Sequence, residues 1–207
     1  MIITSIDTIM DKLGSRKGET KRTEYKYCIE NLRKIDVSKL AEYKQKYQDF
    51  FVLSTRFCTQ DFIDKYFDLL ERIKYEKDLS FADVFAMVSA FSDRSEVSFA
   101  SKLLHVIYPD RFPIWDSVVA TNKQHFGMRK LYGISDVNII VNTYNNYCKR
   151  FAEYMKSDEG QNIIRAFDAR FPNEKVSDIK KIDYVLWQDR AKNNQNENTH
   201  DRTRASA

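Results

Sequence analysis

The chain has 207 residues, of which 43% are hydrophobic and 31% charged, so a packed core is expected and general disorder is excluded. Its 34 basic and 30 acidic residues give a net charge of +4, which permits a nucleic-acid partner but excludes a binder driven by charge alone. Three widely spaced cysteines without a CxxC motif, no apolar run of membrane-spanning length and no signal-peptide pattern predict a cytoplasmic protein with no membrane partner.

The pattern of apolar residues near the N-terminus predicts two helices, separated by one polar segment. Apolar residues at spacings of three and four predict a first helix over residues 3–13, closed by Gly14. The run GSRKGETKR, residues 14–22, predicts a basic loop, and a second helix is expected over about 23–34. The sequence does not indicate where residues 1–35 lie in the fold.

The rest of the chain predicts further helices, each beginning at a capping residue. The expected caps are Ser38, Thr59 or Asp61, Ser80, Asp116, and Ser135 or Asp136, with a further helix over about 158–170 and a last one that starts near Ser177. The helix after Asp116 is expected to end at Gly127. We therefore predict one all-α domain of eight to ten helices over residues 1–187, followed by a polar, disordered tail over 188–207.

Lys102 lies within an amphipathic pattern that runs from Ser98 to Ile107. At 100° per residue, apolar side chains form one arc, whereas Ser98, Ser101, Lys102 and His105 fall on the other side. Lys102 is the polar residue nearest to the apolar arc. Partial removal from water lowers the pKa of a lysine amine, and a neutral amine is a nucleophile.

Asp116 follows Lys102 by 14 residues, across a break that contains Pro109 and Pro113. A chain that reverses in so few residues can bring the two side chains together, and an aspartate at a helix start stays ionised. Two interpretations remain open from the residues alone. Lys102 is a solvated border lysine and Asp116 a simple helix cap, or the two form a working pair.

Other chemical motifs are absent from the sequence. It contains no glycine-rich phosphate loop and no GxSxG, and His105, His125 and His200 do not fall at metal-ligand spacings with cysteines or carboxylates. We therefore expect neither a metal site nor a cofactor. The oligomeric state stays open.

Two short segments resemble a known family. They are Ser101-Lys102-Leu103-Leu104-His105 and Phe112-Pro113-Ile114-Trp115-Asp116-Ser117, with a weaker match over residues 181–187. They resemble the helix-hairpin-helix DNA glycosylases, and are most similar to the 8-oxoguanine DNA glycosylase branch and its small bacterial relatives. The resemblance implies a two-lobed helical fold with a helix-hairpin-helix-like element and a DNA partner.

The resemblance also implies an activity and roles for particular residues. Enzymes of this family flip a damaged purine into a pocket and remove it through a lysine Schiff base, which makes Lys102 the nucleophile and Asp116 the assisting carboxylate. The implied substrate contacts are Phe99, His105, Trp115 and Trp187, and the implied DNA contacts are Arg94, Ser95 and Ser98. The family carries a glycine-bearing turn before the lysine helix, whereas residues 92–97 here contain no glycine. The alternative is a non-catalytic nucleic-acid-binding or protein-interaction module on the same fold.

Overall fold

The computed structural model describes residues 5–53, 58–92 and 96–189, and within these ranges it contains helices and no strand, which confirms the all-α prediction. The helices are α1 (Ile6–Gly14), α2 (Arg16–Asn31), α3 (Ala41–Phe51), α4 (Gln60–Ile73), α5 (Phe81–Ser89), α6 (Val97–Ile107), α7 (Ser117–Thr121), α8 (Val137–Lys156) and α9 (Asp158–Arg170). A last helix, α10, covers residues 178–189.

Most of the predicted caps are confirmed. The side chains of Thr59, Ser80, Asp116 and Asp136 each accept a backbone N–H from the first turn of α4, α5, α7 and α8. Such bonds satisfy amides that have no partner inside the helix, so these residues fix where the helices begin. Ser38 is a wrong prediction, because α3 begins after Leu40 and the Ser38 hydroxyl instead donates to Asp36.

The predicted basic loop over residues 14–22 is also wrong. The Ser15 hydroxyl accepts the N–H of Gly18 and starts α2 directly after α1, so the polar run is helical. Ser157 and Gly160 make the same corner between α8 and α9. A Cβ at either glycine would lie about 2 Å from a carbonyl oxygen of the preceding helix, which explains why glycine occupies the third helical position at both corners.

The helix expected to run from Asp116 to Gly127 ends instead at Thr121. The amides of Phe126 and Gly127 donate to the Asn122 carbonyl, and the amide of Met128 donates to the Ala120 carbonyl. The chain therefore turns back on α7 instead of continuing it.

The N-terminal helices belong to the core of the protein. Helix α1 packs against α2 and α9, and α2 packs against α3 and α6. Helix α5 packs against α4, α6 and α8. The residues that the sequence left unplaced therefore contribute buried side chains to the interior, among them Ile9, Leu13, Tyr25 and Cys28.

Helix α10 continues to Asp189, which is fully buried, two residues beyond the predicted domain boundary at 187. The remainder of the predicted tail, residues 190–207 with His200, lies outside the described residues. Within the described part of the chain, none of the helices has the length and apolar character needed to cross a membrane.

Candidate functional site

A cavity of about 240 Å³ lies where five parts of the chain meet. Its walls come from the α1–α2 corner, the end of α3, the start of α6, residues 114–116 and α10. The charged side chains that line it are Lys21, Lys102, Asp116, Lys180 and Asp183. Ligand sites in proteins usually combine a mainly apolar concave surface with a few converging polar groups, and this cavity has that composition.

Lys102 and Asp116 both line this cavity, and one hydrogen bond fixes their register. The backbone amide of Trp115 donates to the Ser101 hydroxyl at 2.9 Å, and both residues are buried. Each member of this bond directly precedes one of the two charged residues in the chain. The bond therefore places the two charged residues on adjoining walls.

Three more buried side chains hold the segment that leads to Asp116. The Tyr144 hydroxyl donates to the Pro113 carbonyl at 2.8 Å, and the Tyr147 hydroxyl donates to the Ile114 carbonyl at 3.1 Å. His105 Nδ1 lies 2.8 Å from the Phe112 carbonyl. Four successive residues, 112–115, are thus bonded through the backbone to side chains of α6 and α8, which makes this wall of the cavity rigid.

His105 does not line the cavity, which corrects its placement on a polar face among the substrate contacts. It is fully buried, with Nε2 2.9 Å from the Tyr25 hydroxyl. A carbonyl can only accept, so Nδ1 carries the proton and Nε2 accepts from Tyr25. Burial, with a smaller effect of the Lys180 charge, lowers the pKa of His105 to about 3. The face of α6 that carries His105 is buried because the segment over residues 112–116 folds back over it.

Lys102 is half-buried, as the border position in the helical pattern predicts. Its Nζ donates to the Phe51 carbonyl at 3.0 Å and lies 5.2 Å from the ring centre of Phe99. One carboxylate oxygen of Asp116 accepts the amides of Val118 and Val119 at 2.9 and 3.2 Å. Asp116 is therefore both the cap of α7 and a charged group of the cavity wall.

The other predicted contacts separate into three groups. Trp115, Trp187 and Ser98 line the cavity. Phe99 lies outside the cavity lining, because its ring packs edge-on against Phe62 with 5.0 Å between the ring centres. Arg94 and Ser95 lie outside the described residues.

Lys180 is the cavity residue that the sequence did not reveal. Its side chain is buried, pairs with Asp183, and has the ring centres of Tyr25, Phe50 and Tyr184 at 4.8, 4.5 and 4.4 Å from Nζ. Burial lowers the pKa of Lys180, and Asp183 opposes that shift. The Lys-Lys-Ile-Asp-Tyr run offers a weak signal, since Lys180 and Asp183 are one helical turn apart. The three rings come from distant parts of the chain, so only the fold brings them together.

Val52 lies at the rim of the cavity in a left-handed conformation, with φ 55° and ψ 45°. This region is unfavourable for a β-branched residue, so the turn at the end of α3 stores backbone strain. The preceding residue, Phe51, provides the carbonyl that accepts from Lys102. The strained turn and the Lys102 contact are therefore adjacent.

No protein-family model, curated protein or solved structure matches this chain. Within the described ranges, no group of His, Cys, Asp or Glu side chains could hold a metal ion. Cys28, Cys58 and Cys148 form no disulfide with one another. The functional assignment therefore depends on the cavity and on the chemistry of the side chains that line it.

Proposed function

We propose that the protein is a DNA glycosylase with lyase activity that removes an oxidised purine, with Lys102 as nucleophile and Asp116 as the assisting carboxylate. The observation that carries the proposal is that both side chains line one cavity, in a register set by the bond between Ser101 and Trp115. The proposal includes the two-lobed arrangement with a helix-hairpin-helix-like element, and a cytoplasmic location, where thiols stay reduced.

The size and walls of the cavity support a flipped base as the occupant. Its volume of about 240 Å³ is just below the range for drug-sized ligands, which suits a single small ring system. Trp115 and Trp187 both line it, and the partly exposed Trp187 offers an aromatic ring on which a base can stack. Asp183 adds a carboxylate, and the remaining lining is largely apolar.

In the proposed reaction, the neutral Lys102 amine attacks the sugar carbon that carries the base. The new N–C bond replaces the N-glycosidic bond, whose electron pair leaves with the base, and the base takes up a proton. Nζ then gives a proton to Asp116, and the ring opens with that proton passing to the ring oxygen, which produces a Schiff base. Loss of a proton from the next sugar carbon expels the 3′-phosphate and nicks the strand. The Asp116 charge also offsets the positive charge that develops on the sugar.

One observation favours the alternative of a non-catalytic nucleic-acid-binding module. Lys102 Nζ donates to the Phe51 carbonyl, and a carbonyl acceptor favours the charged ammonium, which is not a nucleophile. This alternative expects Lys102→Gln to bind oligonucleotides almost as tightly as the wild type. It also expects no covalent adduct from the wild type.

The test is borohydride trapping with labelled duplexes that contain 8-oxoguanine, another oxidised purine or an abasic site. The proposal expects a covalent adduct with the wild type and none with Lys102→Gln. Asp116→Asn keeps the cap of α7, since asparagine caps as well as aspartate, but it removes the charge and should slow trapping by at least tenfold. Absence of an adduct from every duplex would overturn the proposal.

Lys180 provides the control, because it also lines the cavity and is the more deeply buried of the two lysines. Lys180→Gln should retain the adduct, provided that circular dichroism shows it to be folded. An adduct that survives Lys102→Gln and disappears in Lys180→Gln would assign the nucleophile to Lys180 and refute the role of Lys102. Trapping is therefore measured on both single variants and on the double variant.

A further inference from the structure

One stretch in the second half of the chain has a marked excess of positive charge. Residues 117–152 contain five Lys or Arg side chains and one acidic residue, which gives this stretch the net charge of +4 that the whole chain carries. The acidic residue is Asp136, whose carboxylate caps α8. Residues 12–22 also carry a net charge of +4, but there Lys21 pairs with Glu24 and Arg22 with Glu174. Unpaired positive charge in residues 117–152 is therefore a candidate for attraction to a polyanion.

The five basic side chains of this stretch are all exposed: Lys123, Arg129, Lys130, Lys149 and Arg150. None of them forms an ion pair with a carboxylate in the part of the chain that the structure describes. Exposed basic residues of other helices do form such pairs, as Lys26 does with Glu30 and Lys65 with Asp61. The charge of the stretch is therefore left uncompensated by the described part of the protein.

Hydrogen bonds bring the loop and α8 together into one surface. The Arg150 guanidinium donates to the Phe126 carbonyl at 2.5 Å, which fixes the C-terminal part of α8 beside the loop over residues 122–135. Phe126 and Leu131 are buried and anchor the loop at two points. The amide of Met128 holds it to α7 through the Ala120 carbonyl. The basic residues before and after these anchors therefore have a fixed backbone.

Tyr132 projects from this loop and is 99% exposed. Its neighbour Leu131 is buried, and Gly133 adopts a left-handed φ of 75°, so the chain turns sharply at the tyrosine. The Leu131 carbonyl accepts the amide of Ile134 and closes the turn at 3.2 Å. A full aromatic ring is thus presented to solvent, two residues after Lys130 and three after Arg129.

An asparagine-rich stripe continues the same surface along α8. Asn138, Asn142, Asn145 and Lys149 follow one another at spacings of four, three and four, and all are exposed. Asparagine amides donate to phosphates and pair with base edges. The stripe and the basic loop together offer charge, hydrogen-bond donors and one stacking ring.

We propose that this basic-aromatic surface, formed by Lys123, Arg129, Lys130, Tyr132, Lys149 and Arg150, binds a nucleic-acid strand. Its cations contact phosphates, and Tyr132 stacks on a base that is unpaired or at a helix end. The inference rests on the proposed function for the choice of DNA as partner. It assigns the contact with the strand to a region other than residues 92–97, which lack the glycine that the resembled family carries before its lysine helix.

The combination of features favours nucleic acid over other anionic partners. Tyr132 and Val137 are the exposed large apolar side chains of this stretch, and two such side chains do not form the continuous apolar side that interfacial membrane binding requires. Closely spaced exposed cations beside an aromatic side chain instead match the alternation of phosphates and bases in a strand. A nucleic-acid strand would therefore engage both the cations and the Tyr132 ring, whereas a partner with charge alone would engage only the cations.

The test is fluorescence anisotropy with undamaged single-stranded and duplex oligonucleotides over a range of salt concentrations, which requires no catalysis. Arg129→Ala/Lys130→Ala should flatten the slope of log K against log salt. The expected change for each phosphate that the variant no longer neutralises is about 0.7 on single strands and about 0.9 on duplex. Tyr132→Ala should weaken single-strand binding by roughly tenfold, and Tyr132→Phe should not.

Matched controls lie on other helices. Lys26→Ala/Lys65→Ala removes the same charge from α2 and α4, and Tyr75→Ala removes a tyrosine that is 61% exposed after α4. Both controls should bind as the wild type does. An equal drop in affinity in the controls and in the surface variants would overturn the proposal, as would binding to phosphatidylserine vesicles without binding to oligonucleotides.

The outcomes separate this inference from the proposed function. Salt-dependent binding that is weakened in the surface variants, with no borohydride adduct, would support the proposed binding surface and refute the proposed glycosylase activity. A borohydride adduct together with unchanged binding by the surface variants would refute the proposed binding surface and support the proposed glycosylase activity. Comparison of single strand, duplex and RNA then identifies which form of strand the surface prefers.

Discussion

Two walls of the same cavity each present a lysine and an aspartate, in different environments. On the α6 wall, taken as α6 together with the adjoining residues 114–116, Lys102 is half-buried and donates to the Phe51 carbonyl, and Asp116 caps α7. On the α10 wall, Lys180 is buried among three rings and paired with Asp183. A buried lysine that is paired with a carboxylate is costly to disturb, whereas a half-exposed lysine can change its hydrogen-bond partner at smaller cost. The difference suggests that the α10 wall maintains the cavity and the α6 wall is available for chemistry.

The largest effect is expected from breaking the buried pair. Lys180→Met leaves the partly buried Asp183 carboxylate without its cation and should lower the free energy of unfolding by about 3 kcal/mol. Lys102→Met, a matched change on the other wall, should cost less than about 1 kcal/mol. Urea unfolding of both variants measures the contrast. Similar destabilisation of the two variants would show that the walls do not differ as described.

A second effect tests the support beneath the α6 wall through pH. His105 has a folded-state pKa of about 3, below the value of about 6.5 in an unfolded chain. Its contribution to stability is therefore present above pH 6.5 and is lost as the pH falls towards 3, because only the unfolded chain takes up the proton. Between pH 8 and pH 5 the loss should be about 2 kcal/mol.

The matched variant for this pH effect is His105→Gln, which keeps a buried polar group but does not titrate. Thermal or urea unfolding from pH 8 to 5 should show a flatter dependence than in the wild type. The pKa of His125 is also lowered by burial, so some dependence should remain. An unchanged slope would mean that His105 is already charged or exposed in the folded protein.

A third effect concerns the register between Lys102 and Asp116. Ser101→Ala removes the acceptor of the buried Trp115 amide and should cost about 1.5 kcal/mol. If this bond sets the register, trapping by borohydride should also slow, although Ser101 is not itself in the cavity lining. Ser98→Ala, three residues earlier on the same helix, is the control and should change stability by less than about 0.5 kcal/mol. Normal trapping by the Ser101 variant would show that this bond stabilises the fold but does not position Lys102 and Asp116 for reaction.

The smallest effect is expected at the rim of the cavity. Val52→Gly relieves a left-handed conformation that glycine adopts freely and should stabilise the protein by about 1 kcal/mol. Val52→Ala, which keeps a Cβ, should leave most of the strain in place. Differential scanning calorimetry distinguishes the two variants. A glycine variant that is less stable than the alanine variant would show that the strain has been assigned to the wrong residue.

The sequence determined the helical class, most helix starts and the two segments that form the α6 wall. Thr59, Ser80, Asp116 and Asp136 could be identified because caps act through hydrogen bonds two or three residues away. Lys102 could be identified for a similar reason, since a helical repeat places it at the edge of an apolar arc. Local chemistry of this kind is readable from neighbouring residues alone.

Only the tertiary structure decided which faces are buried and which side chains meet. His105 looked polar-facing because the pattern of α6 alone cannot show that residues 112–116 cover its second side. The rings around Lys180 come from α2, α3 and α10. Three further cavity residues, Leu13, Gly18 and Lys21, come from the N-terminal region that the sequence left unplaced. Burial and pairing across such distances depend on packing of whole helices, which no local periodicity encodes.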